Sequence, residues 1–296
     1  MVKTKILSET DTHLEVLISG TDRAQVNAIR RTMLTEVAKM AIHKVRFEMG
    51  TINDNSTGEA FESVSAIPDE VIAHRLAMIP IPTYHEEFCF LEEDPANEGL
   101  PKEEWGSPGS QIIYHCSARG TPEGRPVTAA DLNVLGEDKL QIPEAYRDIP
   151  ITKLFEGQYI EFYAYAVLGR GSEHAKWTPV AGVTFIPRQV AKLNIKTKAK
   201  ILWDLDLTIT EKDFKSGKLD DIEKVTLLKK ELMHVGDGTA RKDIFKDAIT
   251  LEDVSGEFIF KFDTDGSMSA RTAFNQACNV LAGRFGNLSE ILEQIL

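Results

Sequence analysis

Asn27-Ala28-Ile29-Arg30-Arg31-Thr32-Met33-Leu34 is the stretch on which the reading of this chain turns. With Val26 before it and Val37 and Met40 after it, the apolar residues Ile29 and Met33 recur at helical spacing, and Leu34 widens the stripe. Asn27, Arg30 and Arg31 fall off that stripe. The spacing predicts an amphipathic helix that carries on to Met40. Upstream, Asp22 and Gln25 have the spacing of a capping box, and Gly20-Thr21 turns the chain. Before that turn, His13 to Ile18 is rich in branched residues and reads as a strand. Downstream, Ala41 to Met49 alternates Ile42, Val45 and Phe47 with charged residues, a second strand. A comparably regular pattern returns only at the far end. Phe258, Phe260 and Phe262 alternate with Ile259 and Lys261 in a strand with an aromatic face, and Asp265-Gly266 reads as a hairpin turn. From about Ser269 a long helix carries Ala273, Ala277, Leu281, Leu288, Ile291, Leu292 and Ile295, weakened at Gly283 and Gly286.

The middle of the chain is less periodic. Asn53 to Gly58 is a polar loop, and Pro68-Asp69-Glu70 opens a short helix with Val71, Ile72, Leu76 and Ile79 inward, stopped by Pro80 and Pro82. Residues 86–108 are acidic and rich in Pro and Gly, the composition of an exposed loop. Strands are expected at 111–117, 127–134 and 158–168, and Ile201 to Leu207 is a further candidate. Residues 211–246 read as a charged helical excursion. The economical architecture is α+β: one domain built from both chain ends (1–50 and 251–296), an inserted β-rich domain (51–187), and a small third α/β or helical unit (188–250).

Composition removes several classes of function. The 296 residues carry 34 Lys plus Arg against 46 Asp plus Glu, a net charge of -12, which argues against a general phosphate-binding surface. The three cysteines, Cys89, Cys116 and Cys278, are too few and too far apart for a disulfide framework, so a reducing, cytoplasmic setting is expected. The first residues contain no apolar signal segment, and no apolar run is long enough to cross a membrane. No C-x-x-C occurs, His115 and Cys116 are adjacent, and His85 and Cys89 stand alone, so no metal site is expected. There is no G-x-S-x-G elbow, and Gly169-Arg170-Gly171 is too short for a dinucleotide fingerprint. The expectation is therefore no catalytic residue and no cofactor. Two rival readings remain: a metal-assisted enzyme using Asp204, Asp206 and His234, and a nucleic-acid binder using the basic run Arg188 to Lys200.

Two features stand out from the bland surface. One is the Arg30-Arg31 pair, since guanidinium forks hold carboxylates and carbonyls bidentately. The other is Gly169-Arg170-Gly171-Ser172-Glu173-His174-Ala175-Lys176-Trp177-Thr178-Pro179, a loop that gathers Arg, His, Lys and Trp, as interface hot spots do.

Taken together, these stretches resemble the DNA-directed RNA polymerase family that contains the archaeal D-type subunit, the third-largest subunit of eukaryotic polymerase II and the bacterial alpha subunit. The helix from Asn27 to Val37 is similar to that family's N-A-L-R-R signature. Pro68 to Ile81 resembles its D-E-x-x-A-H-R-L-x-x-I-P-L segment, and Gly169 to Pro179 the G-R-G-x-x-H-A-K-W-x-P pattern. Glu257 to Leu296 resembles its C-terminal dimerisation half. The resemblance implies a split dimerisation domain paired with a smaller L-type subunit of the same fold. It further implies an inserted domain facing the second-largest catalytic subunit and small zinc-bearing subunits. DNA and RNA would be met only through the assembled polymerase, whose catalytic aspartates lie on other chains. Partner contacts are expected at Asn27, Arg30, Arg31, Leu34, His74, Arg75, Arg170, His174, Lys176, Trp177, Phe258, Phe260, Leu281, Leu288 and Leu292. The chain departs from the family where many archaeal members carry a cysteine-rich ferredoxin-like insertion: residues 190–250 contain no cysteine.

Overall fold

Helix and sheet are mixed along the whole chain in the computed structural model, which describes residues 2–53, 58, 60–63 and 67–295. The elements run β1 (Lys3–Glu9), β2 (His13–Ser19), α1 (Arg23–Thr35), β3 (Ala38–Phe47), β4 (Thr51–Asn53), β5 (Ala60–Glu62) and α2 (Asp69–Ala77). They continue with β6 (Gln111–Arg119), β7 (Arg125–Thr128), β8 (Asn133–Val134), β9 (Pro150–Leu154), β10 (Tyr159–Arg170) and β11 (Val180–Leu193). The chain closes with α3 (Lys196–Trp203), β12 (Lys218–Leu219), α4 (Ile222–Glu231), α5 (Lys242–Phe245), β13 (Ile249–Thr264) and α6 (Ala270–Ile295). No described helix is long and apolar enough to cross a membrane.

The chain divides into two compact units. One comprises residues 1–7, 15–27 and 184–261. Its frame is a five-stranded sheet in the order β1-β2-β13-β11-β12, in which strands from both chain ends lie side by side. A small cluster of Ala199, Leu202, Phe214, Val225, Leu228 and Phe245 packs the helices α3 to α5. The second unit comprises residues 8–14, 28–183 and 262–296. Its four-stranded sheet runs β3-β10-β6-β8, with β10 antiparallel to both neighbours. Tyr114, Phe162, Ile72, Leu76, Ile79 and Ile81 fill its core. β10 alternates intermediate and buried positions from Glu161 to Ala166, the period-2 pattern of a strand with a core face.

Several local expectations change. α1 ends at Thr35: Glu36 and Val37 both donate their N–H to the Thr32 carbonyl, and the chain then turns into β3. The apolar spacing through Met40 is real, but Met40 pairs with Leu168 on β10, and ladder pairing overrides helix periodicity there. Asp22 does cap α1, accepting from the Gln25 N–H at 2.8 Å, whereas the Gln25 side chain accepts from the Thr21 hydroxyl. Val71 is exposed; Ile72, Leu76 and Ile79 carry the inward face. The expected strand 127–134 is split into β7 and β8 by a one-turn helix that Thr128 and Asp131 cap reciprocally. Ile201 to Leu207 is the end of α3, with Asp204 as its C-cap and Asp206 at φ +52°. Asp265-Gly266 turns a strand into α6 and forms no hairpin. The acidic segment 86–108 is pinned from within. Asp94, 7 % exposed, accepts from the Ser107 and Ser110 hydroxyls at 2.6 Å each. These bonds hold its carboxyl below the usual range. The expected polar loop from Asn53 to Gly58 lies, at positions 54–57, outside the described residues.

Candidate functional site

The Gly169–Pro179 segment leaves the end of β10 and folds back against the end of α1. Gly171 permits the approach: a Cβ there would lie 2.2 Å from the Leu34 carbonyl oxygen. Ser172 N–H donates to Thr35 O at 2.9 Å, and the Thr178 hydroxyl donates to Leu34 O at 3.3 Å. The last carbonyls of α1, which the helix itself leaves without partners, are thus met by this loop. Trp177 is 6 % exposed, and its indole N–H donates to Val167 O at 3.1 Å. Gly169 leaves room for the ring, since a Cβ would stand 2.3 Å from Trp177 Cε2.

Lys176 is 8 % exposed, and its ammonium donates to Ile42 O at 3.1 Å and lies 3.0 Å from His43 Nδ1. It also stands 4.3 Å from the Trp177 ring centroid, within cation–π range. Burial lowers the Lys176 pKa. Burial and then the neighbouring Lys176 charge lower that of His43, against a smaller upward pull from Glu173. The neutral imidazole is therefore the form that accepts from the ammonium. His174 caps the next turn, its Nδ1 accepting from Lys176 N–H at 3.1 Å, and its side chain is exposed. The Arg170 guanidinium lies 4.0 Å from the Phe90 ring centroid.

One buried cation beside this loop has no clear signal in the sequence. Lys39, 3 % exposed, donates to Lys176 O at 3.0 Å and pairs with Asp265. Asp265 also accepts from the N–H and hydroxyl of Ser267, at 3.0 and 2.7 Å, just ahead of α6. Ser267 O accepts from Thr83 N–H at 2.9 Å, and the Thr83 hydroxyl from Met40 N–H at 3.0 Å. Farther along, Arg284 of α6 pairs with Glu36 at 2.7 Å. The only hint of Lys39 is a lone charge inside the apolar run Val37-Ala38-Lys39-Met40-Ala41-Ile42.

The remaining expected contact residues are dispersed. Arg31 is exposed on α1, Asn27, Arg30 and Leu34 are half-buried, and Val26 and Met33 form the buried stripe. His74 is exposed on α2, and Arg75 donates to Ile151 O at 2.7 Å. Phe258 and Phe260 are buried on β13. Along α6, Ala273 and Ala277 are fully buried and Leu281 is half-buried. Beyond them Phe285, Leu288, Ile291 and Leu292 are 61, 51, 52 and 49 % exposed. The helix thus begins packed and ends as an apolar ridge in solvent, an arrangement that marks an interaction surface.

The rival constellations do not come together. Among the described residues no three His, Cys, Asp or Glu side chains are grouped to hold a metal, so Asp204, Asp206 and His234 form no such site. Three cations of the basic run are paired in place: Arg188 with Glu257 and Asp220, Lys192 with Glu252, and Lys196 with Glu211, while Lys198 donates to the Lys246 carbonyl. All three cysteines are free thiols, and burial pushes the Cys116 pKa up to about 12.

Comparison with known proteins gives a consistent result. The family model of the RNA polymerase Rpb3/Rpb11 dimerisation domain matches residues 15–285. The chain is 31 % identical over 289 residues to the DNA-directed RNA polymerase subunit Rpo3 of Thermococcus kodakarensis, covering 95 % of this chain and 94 % of that one. It is 40 % identical over 182 residues to Rpo3 of Pyrococcus horikoshii, covering 60 % and 57 %. A eukaryotic relative, the DNA-directed RNA polymerases I and III subunit rpac1 of Dictyostelium discoideum, is 24 % identical over 310 residues, covering 99 % and 83 %.

Proposed function

This chain belongs to the RNA polymerase Rpb3/Rpb11 dimerisation family, and from that membership we propose that it is an assembly-platform subunit of a multisubunit DNA-directed RNA polymerase. It pairs with a smaller L-type subunit through a split domain formed by both chain ends (1–50 and 251–296). The inserted region (51–187) and the Gly169–Pro179 loop dock the second-largest catalytic subunit and small zinc-bearing subunits. The chain contributes to nucleotidyl transfer as part of that assembly and brings no catalytic residue, metal or cofactor of its own. DNA and RNA reach it through the assembled enzyme, in keeping with the pairing of Arg188, Lys192 and Lys196 by carboxylates. A cytoplasmic location goes with this reading.

The observation that carries the proposal is the ridge of Phe285, Leu288, Ile291 and Leu292. Four large apolar side chains on one helix, each about half exposed, are costly in water, roughly 25 cal/mol per Å² of apolar surface. Association in which a partner helix covers them regains that energy. Obligate interfaces of this kind commonly bury ~2,000 Å² or more. Strands from both chain ends in one sheet support the split domain. The test is co-expression with an L-type subunit followed by mass measurement of the purified complex. A one-to-one heterodimer is expected, and a monodisperse monomer beside unbound partner would refute the reading. With the second-largest subunit added to that co-expression, Arg31→Ala is expected to reduce its recovery severalfold while leaving the L-type pairing intact.

A further inference from the structure

We infer that Lys39 is a positioning residue for partner pairing: a buried cation that locks the start of α6 to the end of α1 and so sets the direction in which the apolar ridge is presented. That role rests on the proposed pairing and deepens it.

An ammonium that is 3 % exposed is expensive to hold inside a protein unless it is both paired and hydrogen-bonded. Lys39 meets both conditions, and its two acceptors belong to different segments. Lys176 O comes from the loop that caps α1, and the Asp265 carboxylate from the turn that launches α6. Lys39 itself lies four residues beyond the last residue of α1. A single ammonium therefore ties the exit of one helix to the entry of the other. Asp265 is held in turn by the Ser267 N–H and hydroxyl, and Ser267 O by Thr83 N–H, so the carboxylate cannot simply follow the cation elsewhere.

The far side of the lock is the pair Arg284–Glu36 at 2.7 Å. Its Arg284 side chain is 56 % exposed, so the pair is a weak restraint in water. At the entry of α6, Arg271 pairs with Glu9 through two bonds and Ala270 N–H donates to Asp11 O at 2.8 Å, but the Arg271 side chain is itself 59 % exposed. Among these ion pairs on α6 and its entry turn, the one at Lys39 has the buried cation. A helix of 26 residues spans roughly 39 Å at 1.5 Å per residue. A small rotation at its entry therefore becomes a displacement of several ångströms at Leu288 and Leu292. Ridge-into-groove packing with a partner helix does not tolerate such a displacement.

The experiment reads position and pairing separately. Spin labels at Arg31→Cys on α1 and Asn279→Cys on α6, both exposed, are introduced with Cys89 and Cys278 replaced by Ser. The label-to-label distance is measured in the isolated chain, with and without Lys39→Met. Unlabelled Lys39→Met is titrated against an L-type subunit. Expected are a broadened or shifted distance distribution and pairing weakened roughly tenfold or more. Lys39→Arg, which keeps a cation able to donate to both oxygens, should restore both in large part. Ile151→Val, in the core of the inserted region, should lower thermal stability and leave the distance unchanged. Should Lys39→Met fail to fold, Asp265→Asn carries the same test. An unchanged distance overturns the inference, as does a changed distance with undiminished pairing. If the unmodified chain binds no L-type subunit, the pairing reading fails by itself, and the distance measurement still decides whether Lys39 orients α6.

Discussion

Trp177 would serve the proposed interface without touching it. Its indole is buried beneath the loop and hydrogen-bonded to Val167 O, so the exposed members of that loop, His174 foremost, stand on it. Trp177→Ala should cost about 3–5 kcal/mol, the range for emptying a large aromatic site, read as a lower denaturation midpoint. His43 adds a dependence on pH. Its pKa is lower in the folded chain, so folding disfavours the proton. The stabilisation is then complete above the unfolded value of about 6.5 and is lost as pH falls through it towards the depressed folded value. A melting-temperature series from about pH 8 to about pH 5 should decline more steeply for the unmodified chain than for His43→Gln. Residue roles are only partly legible in the sequence. Lys176 and Trp177 stand out there as unusual, but an Arg, His, Lys and Trp cluster looks the same whether its members face a partner or their own core. Lys39 is harder still, because neither of its two acceptors is near it in sequence.

Helix α6 carries Gly283 and Gly286 in its exposed half, and a Cβ at either would meet nothing within 4 Å in this chain. Each glycine costs a helix about 1 kcal/mol relative to Ala. Gly283→Ala and Gly286→Ala should therefore raise helicity by circular dichroism, and together add about 2 kcal/mol to local helix stability. If the glycines exist for close approach of a partner helix, the same substitutions should weaken pairing. Elements with strong local signals are legible: β2, α2, β10, β13 and α6 follow from alternation, proline stops and helical spacing. Others are decided by distant partners. The boundary of α1 is set by β3 pairing with β10, which overrides a helical pattern running through Val37 and Met40. The long β11 escapes a sequence reading because Thr184, Ile186, Arg188 and Lys192 mix polar and apolar residues on a strand whose sheet neighbours come from other parts of the chain. α4 and α5 fall within the charged stretch 211–246, where a helical pattern is visible. α3 imitates a strand because Ile201-Leu202-Trp203 is too short for its period to declare itself.

Fold class and family, the properties of the whole molecule, are readable from three motifs in order, and the comparisons agree with that reading. What no single-chain pattern shows is which apolar surface is satisfied internally. Phe260, Ala273 and Ala277 are fully buried within this chain, whereas Leu288 and Leu292, drawn from the same apolar vocabulary, are not. That contrast predicts a separation of effects. Leu288→Glu or Leu292→Glu should leave the thermal stability of the isolated chain within about 0.5 kcal/mol, as exposed substitutions usually do. Either should abolish recovery of the heterodimer in a pull-down from co-expressing cells.

The half-naked α6 also bears on how such a subunit must be supplied. On the proposed pairing, a copy synthesised without an L-type subunit would carry an adhesive stripe along the exposed half of α6, open to chaperones, to proteases and to other orphaned copies. Matched dosage of the two proposed partners, or early capture of α6, is the condition that stripe would impose on the cell.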